Sequence, residues 1–61
     1  MKTYVCVMIR NSDKESWGFA IGYPIGEHYT ALGAWKAAEQ YVRDTGKVWP
    51  KMQFKLELDE W

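Results

Sequence analysis

The chain carries one thiol, Cys6, and one imidazole, His28. Nucleophilic catalysis needs a nucleophile, a base and an orienting group within hydrogen-bond reach, and these two residues are its only natural candidates. Cys6 falls inside KTYVCVMIR, among β-branched and aromatic neighbours, where a thiol reads as inert packing. His28 follows Glu27 in the segment PIGEHY, which reads as a solvated loop. The pair cannot close a zinc site, which takes four ligands, and a lone cysteine makes no internal disulfide. Carboxylates are the second candidates. Glu57 and Asp59 share one face of a strand, with Glu60 beside them. Paired carboxylates cleave glycosides only when a cleft holds the sugar between them, and 61 residues provide no second domain to wall one. Gly18, Gly22 and Gly26 are spaced by four, but they fall in a strand and its exit instead of opening a helix, so they do not read as a phosphate loop. The expectation is a non-enzyme with no metal and no cofactor.

The acidic residues have another use. Glu57, Asp59 and Glu60 gather late in the chain, Asp13 and Glu15 fall in a turn, and Asp44 sits near the end of a helix. Brought together, they would present a line of negative charge to a basic nucleic-acid-binding site, a local form of DNA mimicry. Complementarity of that kind speeds association and selects the partner. Eight basic residues balance eight acidic ones, which excludes mimicry by the whole surface. The same balance argues against direct contact with nucleic acid, because a protein that grips phosphates shows a basic excess. Four Trp, four Tyr and two Phe are too many rings for so small a core to enclose. Some are expected on the surface, where Trp and Tyr anchor interfaces. Trp61 either packs back over the sheet or serves as such an anchor. The expected partner-binding set is therefore Asp13, Glu15, Glu57, Asp59, Glu60 and Trp61.

One domain, 1–61, is expected, and a domain of this size buries only about 60% of the surface its unfolded chain exposes. Lys2 is followed by a short apolar run ending at Arg10, so no signal peptide is expected. No stretch approaches the ~20 apolar residues that span a bilayer. The lone thiol agrees with a reducing cytoplasm.

The elements that must position these residues follow from periodicity. Lys2 to Arg10 reads as a strand apolar on both faces, with Tyr4, Cys6 and Met8 on one side and Val5, Val7 and Ile9 on the other. Asn11 to Glu15 is a polar turn. Ser16 to Tyr23 reads as a lopsided strand, with Trp17, Phe19, Ile21 and Tyr23 on one side and Gly18, Ala20 and Gly22 on the other. Pro24 is expected to end it. Thr30 reads as the N-cap of a helix from Ala31 to Thr45, with Gly46 as a left-handed C-cap. Met52 to Asp59 alternates strictly and reads as the third strand. The predicted fold is α+β, a three-stranded antiparallel sheet with one helix packed on one face, in the order strand, strand, helix, strand. The large side of the second strand is expected to pack on a helix stripe of Ala31, Ala34, Trp35, Ala38 and Tyr41, leaving the glycine side as a bare open face; in the alternative orientation the helix sits close on the glycines and the rings form an exposed apolar ridge. Trp49 is expected to lid the core and Tyr29 to staple the start of the helix. A lone helix shields one sheet face only, so the other is free for a macromolecular target.

The size, the element order and the segment TALGAWKAAEQYV, Thr30 to Val42, resemble small phage-encoded inhibitors of bacterial nucleic-acid machines, compact anti-CRISPR proteins among them. The same Thr-started, alanine-spaced helix after a hairpin also resembles the HicB-like antitoxins, whose proline-glycine signature is matched loosely by Pro24-Ile25-Gly26. The first resemblance implies a monomeric, stoichiometric inhibitor in the cytoplasm of a bacterial host. It would bind a host protein or nucleoprotein complex, in particular a CRISPR surveillance complex, and block its binding of target DNA. The second implies an antitoxin or small interaction module.

Overall fold

The computed structural model describes all of residues 1–61. Three strands and a helix follow one another: β1 (Thr3–Arg10), β2 (Gly18–Ile25), α1 (Ala31–Val48) and β3 (Gln53–Glu60). The strands form one sheet in the order β2-β1-β3, with both pairings antiparallel. The predicted ββαβ fold is the observed one.

The helix packs on one face, over β1 and β2. Val5 and Val7 of β1 meet Ala34 and Ala38 of α1, and these four make the buried apolar core. Alanines at these two positions let the helix backbone come close to the sheet. Ile21, Tyr23, Tyr41, Val42, Phe54 and Leu56 close around them. Thr30 caps the helix, its hydroxyl accepting from the Gly33 N–H at 3.0 Å. Tyr29 sits at the helix start, edge-on to Tyr23 at 5.7 Å between ring centroids.

Four local expectations need correction. First, the helix runs through Gly46 to Val48, because the Trp49 N–H still donates to the Thr45 carbonyl and Pro50 then ends the ladder. The left-handed glycine is Gly26 instead, at φ 101°, where the chain leaves β2. Second, Pro24 lies inside β2, paired with Tyr4. β2 is an edge strand, so the absent proline N–H lies on the unpaired side and breaks no ladder bond.

Third, β2 does not keep one face throughout. Val7 pairs with Ile21 but Met8 pairs with Phe19, so Ala20 is the extra residue of a β-bulge. The bulge sends Ile21 and Tyr23 toward the helix and Phe19 to the opposite face. Ala20 packs toward the core. The glycine side is consequently not bare, since a Cβ at Gly22 would stand 3.4 Å from the Tyr4 ring and 3.5 Å from the Phe19 ring. Val5, Val7 and Ile9 border no open strip, because they face the helix. Fourth, Trp49 is 58% exposed and does not lid the core. It caps the helix and lines a shallow hollow beside Asn11, Pro50 and Met52.

Candidate interaction surface

The sheet face turned away from the helix takes its residues from alternate positions of each strand. β1 contributes Tyr4, Cys6, Met8 and Arg10. The β1–β3 register places Asp59 beside Tyr4, Glu57 beside Cys6, Lys55 beside Met8 and Gln53 beside Arg10. β2 contributes Phe19 and Gly22, opposite Met8 and Cys6.

Three rings gather at one end of this face. Trp61 continues β3 past its last residue, exchanging both backbone hydrogen bonds with Lys2 at 2.8 Å. Its indole tilts over Tyr4, 4.5 Å between centroids, and reaches Phe19 at 5.3 Å. The indole N–H donates to Asp59 Oδ2 at 3.0 Å, while Asp59 Oδ1 accepts the Glu60 N–H at 2.9 Å. Asp59 is thus fixed against the rim of the ring cluster. The cluster bridges all three strands because the bulge delivers Phe19 to this side. Trp61 is 54% exposed and Phe19 51%, so the rings are both packed and accessible.

Cys6, paired with the Gly22 on which the Tyr4 and Phe19 rings pack, is at 1% exposure. No helix covers this face, so the cover comes from the face's own side chains. Burial pushes the thiol above its ordinary pKa, and the Asp59 and Glu57 carboxylates push it further. Cys6 is therefore a protonated packing group, the opposite of an activated nucleophile. His28 lies in the exposed 26–28 turn. No group of three or more His, Cys, Asp or Glu side chains comes together in a way that could hold a metal ion. No helix is long and apolar enough to cross a membrane.

The far end of the face has the opposite charge. Trp17 lies under two cations, the Arg10 guanidinium at 4.3 Å and the Lys55 ammonium at 4.9 Å from the ring centroid. Arg10 also donates to the Gln53 amide oxygen at 2.7 Å. The face is therefore dipolar along β3, with carboxylates and stacked rings at one end and cations around a single indole at the other. Lys55 and Glu57 meet in the middle at 3.6 Å.

The expected acidic line is divided. Glu57, Asp59 and Trp61 share the open face. Glu60 pairs with Thr3 and so has the parity of the helix side. Asp13 and Glu15 lie in the β1–β2 turn, at the opposite end of β1 from Thr3 and Glu60. Seven residue steps along a strand span about 23 Å, well beyond a Debye length of ~8 Å at physiological salt. Glu15 is engaged locally, its carboxylate accepting the Asn11 N–H at 2.9 Å. Asp44 lies on the helix and accepts from Gln40. Residues absent from the expected set but central to the surface are Tyr4, Phe19, Trp17, Arg10 and Lys55. A glycine inside a strand is a signal of a bulge or a close approach, and the one trace of this arrangement in the sequence is Gly22, against which the Tyr4 and Phe19 rings pack.

Comparison of the chain with protein-family models, with curated proteins and with solved structures finds no match. The functional reading accordingly stands on the geometry of this face and on the sequence pattern of Thr30 to Val42.

Proposed function

We propose that this protein is a non-catalytic inhibitor that docks by its open sheet face on a host nucleic-acid-processing complex and blocks that complex's binding of target DNA. The observation that carries the reading is the cluster of Tyr4, Phe19 and Trp61 on the face no helix covers, with Phe19 and Trp61 half exposed and Asp59 locked to its rim. Exposed aromatic residues dominate the energetics of protein interfaces. Here the indole is already held by Asp59, so docking has little side-chain freedom left to freeze. Asp59 and Glu57 beside the rings suit a basic surface of the kind that holds nucleic acid, and charge complementarity favours such a partner. The protonated, covered Cys6 offers no reactive group that would make the face an active site.

The choice of a CRISPR surveillance complex as target comes from the resemblance of Thr30 to Val42 and of the element order, not from residues of the face. Acting as a stoichiometric inhibitor, the protein would work in the cytoplasm of the bacterial host. The test is a gel-shift with a purified surveillance complex, its target duplex and this protein. Inhibition is expected at stoichiometric protein, and loss of inhibition with Phe19→Ala combined with Asp59→Lys. Target binding left untouched by excess protein would rule out that complex. Full inhibition by the double variant would rule out the face.

A further inference from the structure

We propose that the free edge of β3 pairs with β3 of a second copy of this chain, antiparallel, about a two-fold axis through Leu56. The pairing of Lys2 with Trp61 exchanges both backbone hydrogen bonds. In an antiparallel ladder such pairs alternate, so Gln53, Lys55, Glu57 and Asp59 direct their backbone groups to β1. Phe54, Leu56, Leu58 and Glu60 direct theirs outward, to an edge with no partner. The two sheet edges are not alike. β2 is blunted by Pro24, which has no N–H, and by the bulge at Ala20. These are standard devices against edge pairing. β3 has neither over its eight residues.

The helix is also displaced from β3. It sits over β1 and β2, and beside β3 it leaves an open groove of about 450 Å³ walled by Trp35, Val42, Phe54 and Leu56 together with the charged Glu39, Arg43 and Lys55. Leu58, two residues beyond Leu56 on the same face of β3, is 64% exposed, and Leu32, one turn before Trp35, is uncovered as well. Apolar surface of this extent alongside an open backbone edge needs an occupant.

The charge pattern selects a second copy and sets the register. A two-fold axis at Lys55 would oppose two lysines, and one at Glu57 would oppose two glutamates, each destabilising in directly facing positions. An axis at Leu56 sets Lys55 against the partner's Glu57, twice by symmetry. It also sets Phe54 against the partner's Leu58, and Leu56 against the partner's Leu56. These apolar pairs are the positions whose backbone groups point outward, so they form the hydrogen-bonded pairs. The Lys55–Glu57 contacts fall in the non-hydrogen-bonded pairs, where facing side chains are closest. Both helices then lie on one side of a six-stranded sheet and the two grooves merge. The opposite side becomes a continuous platform carrying two ring clusters. The proposed dimer is the alternative to the monomer expected from the sequence, and it stands independently of the proposed inhibitor function.

Sedimentation equilibrium over a wide concentration range tests it. The wild-type chain should reach twice 7.2 kDa. Lys55→Glu alone and Glu57→Lys alone should each shift the mass toward the monomer, with circular dichroism confirming that the fold is kept. Mixing the two single variants should restore the dimer, because each chain then meets opposite charge across the seam. Loss of the Lys55–Glu57 contact within one chain cannot produce that rescue. If the single variants prove unfolded, a synthetic chain N-methylated at Leu56 serves instead, since that amide takes no part in the β1–β3 ladder; it should be monomeric. A wild-type monomer at every concentration, or a dimer indifferent to the charge variants and to the methylated amide, overturns the proposal.

Discussion

Trp61 lies over Tyr4 with 4.5 Å between ring centroids, tying the chain beyond β3 to the central strand on the face that α1 leaves open. That contact converts a sheet face without a helix into a surface with its own packed layer. The same layer sets the Tyr4 and Phe19 rings against Gly22, the residue paired with the buried Cys6, and it presents aromatic area without letting it wander.

Removing the ring should be felt in both respects. Trp61→Ala is expected to cost about 1–2 kcal/mol, the range of a lost aromatic pair plus partial burial, read from the urea midpoint. Cys6 should then react with a thiol reagent faster than in the wild type under native conditions. An unchanged reaction rate would show that Trp61 is not part of the cover over the thiol.

The close approach of helix and sheet rests on two alanines, Ala34 and Ala38, both at 0% exposure. Ala38→Leu should destabilise by about 1–3 kcal/mol, because the added carbons have no space between α1 and β1. Ala31→Leu, on an exposed helix position, should stay within about 0.5 kcal/mol of wild type. Equal effects in chemical denaturation would contradict the packing described for α1.

Stability should fall on the alkaline side. Burial raises the thiol of Cys6 above its ordinary 9.0 and the phenol of Tyr23 above its ordinary 10.0. A raised folded pKa means that the folded state holds the proton more tightly. The contribution is therefore complete below the unfolded value and is lost as pH rises toward the folded one. Melting temperature should decline from about pH 9 upward, and Cys6→Ala should delay that decline into the tyrosine range. Glu27 acts on the acid side, its pKa lowered by the hydrogen bond and the charge of Lys2. Its contribution is present above its unfolded pKa and lost as pH falls through the lowered one. The pair is solvent-exposed, so salt should weaken it.

Much of this architecture is written in the sequence. MQFKLELD announces β3 through strict alternation, and Thr30 with the alanine spacing announces α1. What the sequence hides is the result of tertiary competition. Alternation assigns Phe19 to the helix side, yet a single bulge at Ala20 moves it to the open face, where Tyr4 and Trp61 receive it. Gly46 resembles a helix stop, but nothing in its own backbone demands a left-handed turn, and Pro50 sets the limit instead. The acidic residues are close in composition but not in space, because the β1–β2 turn and the end of β3 lie at opposite ends of β1. The partly uncovered helix side of β3 depends on where the helix axis settles, which periodicity alone does not encode.

Docking of the proposed partner on the open face can be read by parallel affinity capture from a bacterial lysate with three baits. The baits are the wild-type chain, Phe19→Ala with Trp61→Ala, and Lys36→Glu on the exposed outer surface of the helix as a control. Circular dichroism must first show that all three are folded. One nucleic-acid-processing complex should be retained by the wild type and by the helix control and be lost from the ring variant. Retention of the same complex by the ring variant, or its loss from the helix control alone, would contradict the claim.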